Sequence, residues 1–429
     1  MGWEGHVTSE PWRGISFHNL KFKDERILYE MSLQDQFVAY SGIQSVGQSY
    51  YYDATYQLGG EEFTLRGVCF FEDHQGATTS WRHFDYEDEE TSSARDRGIR
   101  NYEFVVRTVA SVGNYDYMYD IRFQLDGEIR VLVFMAGYMQ NTFFDDQWNL
   151  TKNDLKFGTR THEKTLSNIH DHLTSWKLDF DINGTSNSFH KTTLRAGTYD
   201  EIFGVGSTPS YASPTSVYKY KDDQTVATEQ GWKVTGGEPS IFTISNDAVK
   251  DQWGNSKSYG IFIQYTAPQL LPDDHPLLQA AAWTKYNIAV VQRTENESAS
   301  STDYFDAHSP MAPITSLDNF MNGQSIVEQD LVNFVSMGII HVPRTEDIPL
   351  ISNIGSEFQI KPINFFPQLA SLDIVESDNF EACVPRQGAG EFDYVWNGEG
   401  NNYQYSKAAF TLSNPLPQAP PVQVFETAG

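Results

Sequence analysis

Cysteine is nearly absent from this chain, and basic residues and long apolar runs are also scarce. Cys69 and Cys383 are the two cysteines in 429 residues, too few for a disulfide framework or for a Cys-x-x-Cys zinc motif. No stretch approaches the ~20 apolar residues that a membrane-spanning helix needs. Lys and Arg number 30 against 57 Asp and Glu, and the net charge is −27. Because phosphate binding requires basic side chains, nucleic acid is not an expected partner, whereas a cationic substrate would be attracted.

The ends of the sequence carry no recognisable targeting signal. The N-terminus has neither a basic start nor an apolar run, so we expect no secretory signal in the chain as given. The last three residues, Thr427-Ala428-Gly429, are not a peroxisomal signal. Three Asn-x-Ser/Thr triplets begin at Asn149, Asn183 and Asn296. Such triplets often arise by chance, so they give only slight support to an extracellular location.

Strand patterns dominate the sequence. Aromatic residues make up 14% of the chain, and 31 glycines and 18 prolines accompany them, a composition that favours strands and turns. Apolar residues alternate with polar ones over 121–125 and again over 129–133. The intervening Asp126-Gly127 supplies the positive φ that a tight hairpin turn needs. The sequence therefore predicts a β-hairpin here.

A second hairpin is predicted where the alternating segment 176–182 is followed by Asn183-Gly184. Pro276 to Lys285 is typical of a short helix, with proline in the first turn. Further strand-like segments are 104–112, 260–265, 286–292 and 331–341. We expect an all-β protein, a large antiparallel β-sandwich that forms one domain over 1–429 and ends in an irregular proline-rich tail at 415–429.

Histidines and a tyrosine provide the strongest indication of chemistry. His170 and His172 form an H-x-H pair on a predicted strand, so both imidazoles point to the same face. His341, at the end of an apolar segment, could complete an imidazole site suited to copper or zinc. Each has an ordinary alternative, since strand histidines are more often surface or hydrogen-bonded core residues than ligands. Tyr115, in Asn114-Tyr115-Asp116-Tyr117, could equally pack a core.

Taken together, these motifs resemble the copper amine oxidases, the topaquinone enzymes. The similarity covers nearly the whole chain and corresponds to the C-terminal catalytic domain of that family, without its smaller N-terminal domains. Several motifs in the same order are far more specific than any single one. The matching segments are 108–117, 169–172, 178–181, 187–189, 328–332, 341–349 and 364–367.

The resemblance implies a copper site and a cofactor made from the protein itself. His170, His172 and His341 would bind Cu²⁺, and Tyr115 would be oxidised to topaquinone in the presence of copper and O2. Asn114 would orient the quinone through a hydrogen bond, and Tyr40 would hydrogen-bond a quinone oxygen. Alternatively, Asn114 could satisfy a strand end and Tyr40 could be an ordinary packed tyrosine.

The resemblance also suggests a catalytic base. Asp53 could align with the aspartate that opens a glycine-rich segment of the family, where it would remove the α-proton of the bound amine. Thr55 and Gln57 replace two glycines of that segment, and Gly59 is kept. A glycine loop tolerates such changes only with a different backbone path. The alternatives are that Asp53 is a solvated turn aspartate, or that the base segment is missing.

Two further features are implied by the family. Asp179, Asp181 and Asp330, with the carbonyl groups of Phe180 and Leu331, resemble a second, peripheral metal site whose oxygen ligands suit Ca²⁺ or Mn²⁺. An acidic, solvated strand face is the alternative. The family usually has a cysteine that bridges to the position of Cys69, and the segment before Cys69 contains none. We therefore expect a free, buried Cys69, or a Cys69–Cys383 bridge.

The leading hypothesis is a homodimeric primary-amine oxidase that uses O2 and water to convert a small amine to an aldehyde, ammonia and hydrogen peroxide. The acidic chain favours cationic polyamines as substrates. Two other hypotheses stay open: a non-catalytic copper-binding sandwich in which Tyr115 remains unmodified, and a carbohydrate-binding sandwich with a structural zinc.

Overall fold

A computed structural model describes the chain over thirteen ranges. They are residues 2–10, 14–41, 50–52, 68–82, 97–144, 154–234, 237–267, 269–297, 301–303, 306, 309–373, 380–385 and 392–397. The strands are β1 Trp3–Glu10, β2 Gly14–Phe22, β3 Glu25–Tyr40, β4 Tyr50–Tyr52, β5 Val68–Arg82, β6 Arg97–Val112, β7 Tyr115–Gln124, β8 Ile129–Gly137, β9 Asn141–Phe143, β10 Gly158–His162, β11 Thr165–Asn168, β12 His170–Phe180, β13 Ser188–Thr198, β14 Val217–Thr225, β15 Gln230–Trp232, β16 Ser240–Lys250, β17 Ser256–Tyr265, β18 Ile288–Gln292, β19 Leu331–His341, β20 Ile351–Ile363, β21 Phe380–Pro385 and β22 Phe392–Asn397.

Helices are few and short in the described part of the chain. The α-helices are α1 Tyr199–Phe203 and α2 Leu317–Phe320. Five 3₁₀ turns accompany them at Asp154–Lys156, Pro276–Gln279, Ala282–Lys285, Thr345–Asp347 and Ala370–Asp373. The predicted helix between Pro276 and Lys285 is thus two 3₁₀ turns. None of the described helices has the length and apolar character that crossing a membrane requires.

Two large antiparallel sheets form the larger of two compact units, which comprises residues 1–75 and 102–370. The first sheet has the order β1-β2-β3-β12-β19-β18-β15, with β4 paired to β3. The second runs β14-β13-β16-β17-β20-β8-β7-β6. A third, small sheet has the order β10-β11-β9. The predicted all-β fold is confirmed.

The smaller unit comprises residues 76–101 and 371–429. Within it, β21 pairs with β22 and with the first residues of β6, where Phe380 lies opposite Ile99. The predicted tail at 415–429 lies outside the described residues. The prediction of a single domain over 1–429 stays a prediction.

The core lies between the inner faces of the two large sheets. Alternate residues of β12 point inward, and Trp176 packs edge-on against Tyr119 of β7 and Phe358 of β20, with ring centroids 6.1 and 6.3 Å apart. All three side chains are fully buried. Each buried aromatic side chain contributes roughly 1.5–3 kcal/mol through apolar burial. The same alternation carries His170 and His172 to this inner face.

The hairpin predicted around Asp126-Gly127 is present as β7 and β8, which pair from Tyr115↔Gly137 to Phe123↔Ile129. The second predicted hairpin is wrong. β12 belongs to the first sheet and β13 to the second, so the Asn183-Gly184 turn passes the chain between sheets. The Asn187 side chain holds this crossover, because its amide accepts from the Ile182 N–H and donates to the Ile182 carbonyl.

A two-residue turn places Tyr115 at the start of β7. Val112 pairs with Tyr115, and Gly113 and Asn114 form the turn between β6 and β7. Gly113 has φ +59°, which fits a type II′ hairpin turn with glycine at its first central position. This turn fixes the register and so the face on which the Tyr115 ring lies.

Gly137 allows β8 to approach the backbone of Tyr115. Its φ is +149°, and a Cβ at this position would lie 2.8 Å from the Tyr115 Cα and closer still to the Asn114 carbonyl oxygen. A side chain can be accommodated only if one of the two strands shifts, because the obstructing atoms are backbone atoms. Sequence reasoning missed this constraint.

We predict that Gly137→Ala lowers the free energy of unfolding by about 1–3 kcal/mol, the usual cost of overpacking. Gly237→Ala is the matched control, since no heavy atom of the described residues beyond its chain neighbours lies within 4 Å of a Cβ added at Gly237. The control should change stability by less than about 0.5 kcal/mol. Urea unfolding of both variants checks this, and equal stability of the two would contradict the close approach.

Candidate functional site

The central strand β12 brings residues from three strands to one point on the inner face of the first sheet. In the β12–β19 pair His170 lies directly opposite His341, and in the β12–β3 pair it lies opposite Tyr40. His172 follows two residues later on the same face. Residues that are 171 positions apart in sequence therefore become neighbours through strand register alone. The ring centroids are 4.8 Å apart for His170 and His172 and 5.0 Å apart for His170 and His341.

Tyr115 reaches this histidine cluster from the facing sheet. Its Oη lies 2.6 Å from His170 Nε2 and 3.3 Å from His341 Nδ1. The ring centroid is 4.4 Å from that of His172. Only 2% of Tyr115 is exposed, and burial raises the pKa of its phenol above the ordinary value. The structure thus brings together the predicted cofactor tyrosine and all three predicted copper ligands.

Each imidazole is held through one ring nitrogen, which leaves the other nitrogen directed elsewhere. A neutral imidazole has one N–H and one lone pair, so a partner on one nitrogen selects the tautomer and leaves a defined nitrogen for a metal. The anchoring contacts are His170 Nδ1 to the Asn168 carbonyl at 2.8 Å, His172 Nδ1 to Tyr117 Oη at 2.7 Å, and His341 Nε2 to Asp347 Oδ2 at 3.1 Å.

The unpartnered nitrogen of His172 shows that the cluster fits a metal ion. His172 is fully buried, and its Nε2 has no hydrogen-bond partner among the described residues. A buried polar atom without a partner is costly unless a ligand or ion satisfies it. His170 Nε2 and His341 Nδ1 contact only the Tyr115 hydroxyl in this cluster. Three nitrogen donors beside a phenol suit copper or zinc.

The protonation states also suit metal binding. Burial lowers the pKa of His170 to about 4 and lowers the pKa values of His172 and His341 below the ordinary histidine value. The three rings are therefore neutral near pH 7, as ligation requires.

Asp347 supports His341 as a charged neighbour. Burial by itself raises the pKa of the Asp347 carboxyl, but hydrogen bonds from the Arg344 backbone N–H and guanidinium hold that pKa below its usual value. Asp347 Oδ2 accepts from the Arg344 N–H at 2.8 Å, and Oδ1 accepts from Nη2 at 3.2 Å. The carboxylate stays ionised and can accept a hydrogen bond from the Nε2–H group of His341.

Tyr40 and Asn114 lie beside the cluster. The Tyr40 ring stacks on His170 at a centroid distance of 4.6 Å, and its Oη lies 3.3 Å from the Asn114 amide nitrogen. Asn114 also donates to the Tyr138 carbonyl. The predicted roles of both residues toward a quinone stay predictions. Asp53, the predicted base, lies outside the described residues.

The predicted second metal site is a compact carboxylate cluster. Ligand oxygens of Asp179, Asp181 and Asp330 lie within 4.8 Å of one another. Arg293 contacts Asp179 at 3.1 Å and Arg26 contacts Asp181 at 3.0 Å. These arginines offset part of the negative charge.

Two oxygens of this cluster are free to bind a cation. Oδ1 of Asp179 and Oδ1 of Asp330 are buried without a hydrogen-bond partner among the described residues. Burial raises the pKa of Asp179 to about 7. Phe180 and Leu331 pair with each other next to these aspartates, so their backbones are local to the cluster. The residues fit a cation, and the identity of that cation stays a prediction.

Sequence reasoning did not assign a role to Tyr117 or Asp347. A signal for Tyr117 was available, since Tyr115 and Tyr117 share a face of one strand just as His170 and His172 share a face of another. Asp347 carried no such signal, because its contact depends on the 3₁₀ turn at Thr345–Asp347.

The prediction for Cys69 is confirmed in part. The structure places it as a free thiol, as the first of the two predictions had it, so the alternative bridge to Cys383 is wrong. The thiol is exposed, however, and not buried. The reason is positional: Cys69 lies near the start of β5, where Phe70 is also exposed.

Comparisons with known proteins agree on one family. The family model for the copper amine oxidase enzyme domain matches residues 1–67 and 41–381. The copper-containing diamine oxidase of Mus musculus is 30% identical over 398 residues, covering 84% of this chain and 51% of its own length. The lung isozyme of primary amine oxidase from Bos taurus is 27% identical over 417 residues, covering 87% of this chain and 52% of its own.

Solved structures show the same fold. The amine oxidase of Aspergillus nidulans superposes with a TM-score of 0.77 at 22% identity, covering 94% of this chain and 55% of that one. Pichia pastoris lysyl oxidase gives 0.78 at 21% identity, covering 94% and 56%. The chain spans about half the length of the curated relatives it matches. Because the family model matches well over half of its residues, the chain belongs to the copper amine oxidase family and corresponds to the enzyme domain of that family.

Proposed function

We propose that this chain is the catalytic part of a copper- and topaquinone-dependent primary-amine oxidase. The reaction converts a primary amine, O2 and water to an aldehyde, ammonia and hydrogen peroxide. One observation carries the proposal: Tyr115 lies in hydrogen-bond contact with His170 and His341, and its ring is packed against His172. A buried phenol beside three neutral imidazoles is an unusual combination for a core, and it supports a redox role.

The chain's residues would divide the work as follows. His170 Nε2, His172 Nε2 and His341 Nδ1 would hold copper. Once bound, copper would supply the redox chemistry by which O2, as the oxidant and oxygen source, converts Tyr115 to a quinone that accepts the electrons of the amine. Tyr115 is almost fully buried, so the surrounding side chains exclude water from its ring. Exclusion of water strengthens every electrostatic interaction in the site.

Tyr40 and Asn114 would position the modified ring. Stacking on His170 fixes the Tyr40 ring, and the 3.3 Å contact with Asn114 ties the two side chains together. Asn114 is itself held through the Tyr138 carbonyl. A ring held in one orientation presents one carbonyl carbon to the amine, and such positioning accounts for much of the rate gain in enzymes. The net charge of −27 supports a cationic amine as the substrate.

Tyr115→Phe tests the central assignment. The variant should bind copper, because all three imidazoles remain, and should give no redox-cycling quinone stain after aerobic copper loading. Tyr119→Phe is the matched control: Tyr119 is fully buried two strand positions beyond Tyr117, and its hydroxyl has no hydrogen-bond partner among the described residues. It should stain like the wild type. Copper analysis and the stain are the measurements.

The same assay separates the other hypotheses. Wild-type protein that takes up copper and never stains would indicate a non-catalytic copper-binding sandwich. Wild-type protein that takes up zinc and no copper would overturn the proposal altogether. A quinone stain that persists in Tyr115→Phe would place the cofactor at another residue.

Asp53 is the proposed general base on sequence grounds. A carboxylate within hydrogen-bond reach of the amine's α-carbon could remove its proton. Asp53→Asn should keep copper and the quinone stain, because it changes no copper ligand, and should lower turnover by about 100-fold or more. Steady-state amine oxidation provides the measurement, and normal turnover would remove Asp53 from the mechanism.

Asp179, Asp181 and Asp330 are proposed to bind Ca²⁺ or Mn²⁺. The two unpartnered carboxylate oxygens support this, as does the raised pKa of Asp179, about 7, caused by burial. Because the folded pKa exceeds the ordinary value, this group stabilises the metal-free protein most at low pH, and the contribution is lost as pH rises from about 4 through 7. A bound cation would reverse that loss.

We predict that millimolar Ca²⁺ raises the melting temperature at pH 8 and has little effect at pH 5, where Asp179 is protonated. A free Ca²⁺ concentration of 100 times Kd would raise the free energy of unfolding by about 2.7 kcal/mol. Asp330→Asn should abolish the Ca²⁺ effect. Asp318→Asn serves as a control, since Asp318 pairs with Lys285 and is not one of the clustered carboxylates. A Ca²⁺ shift that is unchanged in Asp330→Asn would exclude this site.

A further inference from the structure

Two tyrosines and two histidines face each other in matched pairs across the sandwich. Tyr115 and Tyr117 point inward from β7, and His170 and His172 point inward from β12, with spacing i and i+2 in both strands. Tyr115 contacts His170, and Tyr117 contacts His172, at 2.6 and 2.7 Å. By position alone the two phenols are equivalent.

The ring nitrogens that the two phenols contact are different. Tyr115 Oη lies at His170 Nε2 and near His341 Nδ1, which are the nitrogens left free by the anchoring contacts of those rings. Tyr117 Oη lies at His172 Nδ1, and the free nitrogen of His172 is its Nε2. Tyr115 therefore lies at the nitrogens that would be available to a metal, and Tyr117 lies at the nitrogen of His172 that would not.

We propose that Tyr117 is a positioning residue for the copper site, a role that rests on the proposed function: its phenol oxygen accepts a hydrogen bond from Nδ1–H of His172 and so keeps the Nε2 lone pair available to the metal. The reason is tautomeric. If Tyr117 donated its proton to Nδ1, the single N–H of the neutral ring would sit on Nε2, which then could not ligate.

The surroundings of Tyr117 allow the accepting role. Tyr117 and His172 are both essentially unexposed, so water does not compete for either group. Gln36 of β3 is a polar neighbour of the Tyr117 hydroxyl. Both polar atoms of its amide group, the oxygen and the nitrogen, are buried and have no hydrogen-bond partner among the described residues. The amide oxygen is an acceptor, so when it faces the phenol it can accept a hydrogen bond from the phenol O–H while the phenol oxygen accepts from His172.

A consequence concerns which tyrosine is modified. Oxidation of a tyrosine ring would require that ring to lie beside the free ring nitrogens, where copper would be held. Tyr117 contacts the opposite nitrogen of His172, so it would stay a tyrosine although its strand position matches that of Tyr115. The two tyrosines of Asn114-Tyr115-Asp116-Tyr117 thus have separate roles, one as cofactor precursor and one as ligand support.

Copper binding to Tyr117→Phe under anaerobic conditions tests the proposal before any quinone can form. The full chain is loaded with Cu²⁺, and its affinity is measured by chelator competition together with the EPR spectrum of the bound ion. Removal of a residue that orients a ligand typically costs 10- to 100-fold in metal affinity. We expect a loss of that size and altered copper hyperfine splitting in Tyr117→Phe.

Tyr119→Phe is again the matched control, since it removes a buried phenol oxygen from the same strand face without removing a hydrogen bond. Its copper affinity and EPR spectrum should match the wild type. Wild-type affinity and spectrum in Tyr117→Phe would overturn the role of Tyr117 while leaving the proposed function intact. Failure of the wild type to bind copper would instead overturn the proposed function.

A second measurement covers the case in which Tyr117→Phe does not fold. Wild-type protein loaded with diamagnetic Zn²⁺ and labelled with ¹⁵N at histidine should show His172 protonated at Nδ1, metal-bound at Nε2, and slow to exchange its Nδ1–H. Metal bound at His172 Nδ1 would overturn the proposal, because that nitrogen would then not be available to Tyr117.

Discussion

The antiparallel register of β12 between β3 and β19 determines whether a metal centre can form in this sandwich. It sets His341 directly opposite His170 and leaves His172 on the same inner face. A slip of one residue would turn every one of these side chains to the other face of the sheet. The register is specified by the apolar residues that share the inner face, including Trp176, which packs against the facing sheet. Core packing and site assembly therefore depend on the same pairing.

Burying three imidazoles and a phenol is costly unless each polar atom finds a partner. The structure meets this requirement with three chemically different anchors: a backbone carbonyl for His170, a phenol for His172 and a carboxylate for His341. Each anchor takes one ring nitrogen and leaves the other directed toward Tyr115 or without a partner. The same contacts that make burial tolerable also choose which nitrogen could face a metal, so stability and ligand geometry are linked at every histidine.

The sequence predicted different parts of this arrangement with unequal success. Alternation placed His170 and His172 on one face, and the Asp126-Gly127 turn correctly indicated the β7–β8 hairpin. Strand pairing between sequence-distant segments leaves no local pattern. The position of His341 at the end of an apolar segment therefore makes it a candidate third imidazole, and the resemblance to a family is what connects it to the pair. The prediction of a hairpin at Asn183-Gly184 is wrong because a turn sequence indicates a change of direction and not the sheet that the next strand joins. Gly137 was missed because its role depends on the backbone of a neighbouring strand.

β12 carries both candidate metal sites, and their placement along it has an electrostatic consequence. His170 and Asp179 are nine positions apart on this strand and point to opposite faces, which corresponds to a separation of about 30 Å at the usual rise of a strand. Two unit charges at that distance interact by only about 0.5 kcal/mol at an effective dielectric constant of about 20. Ionisation changes at one end of the strand therefore have little effect on the groups at the other end, and each candidate site depends mainly on its own neighbouring residues.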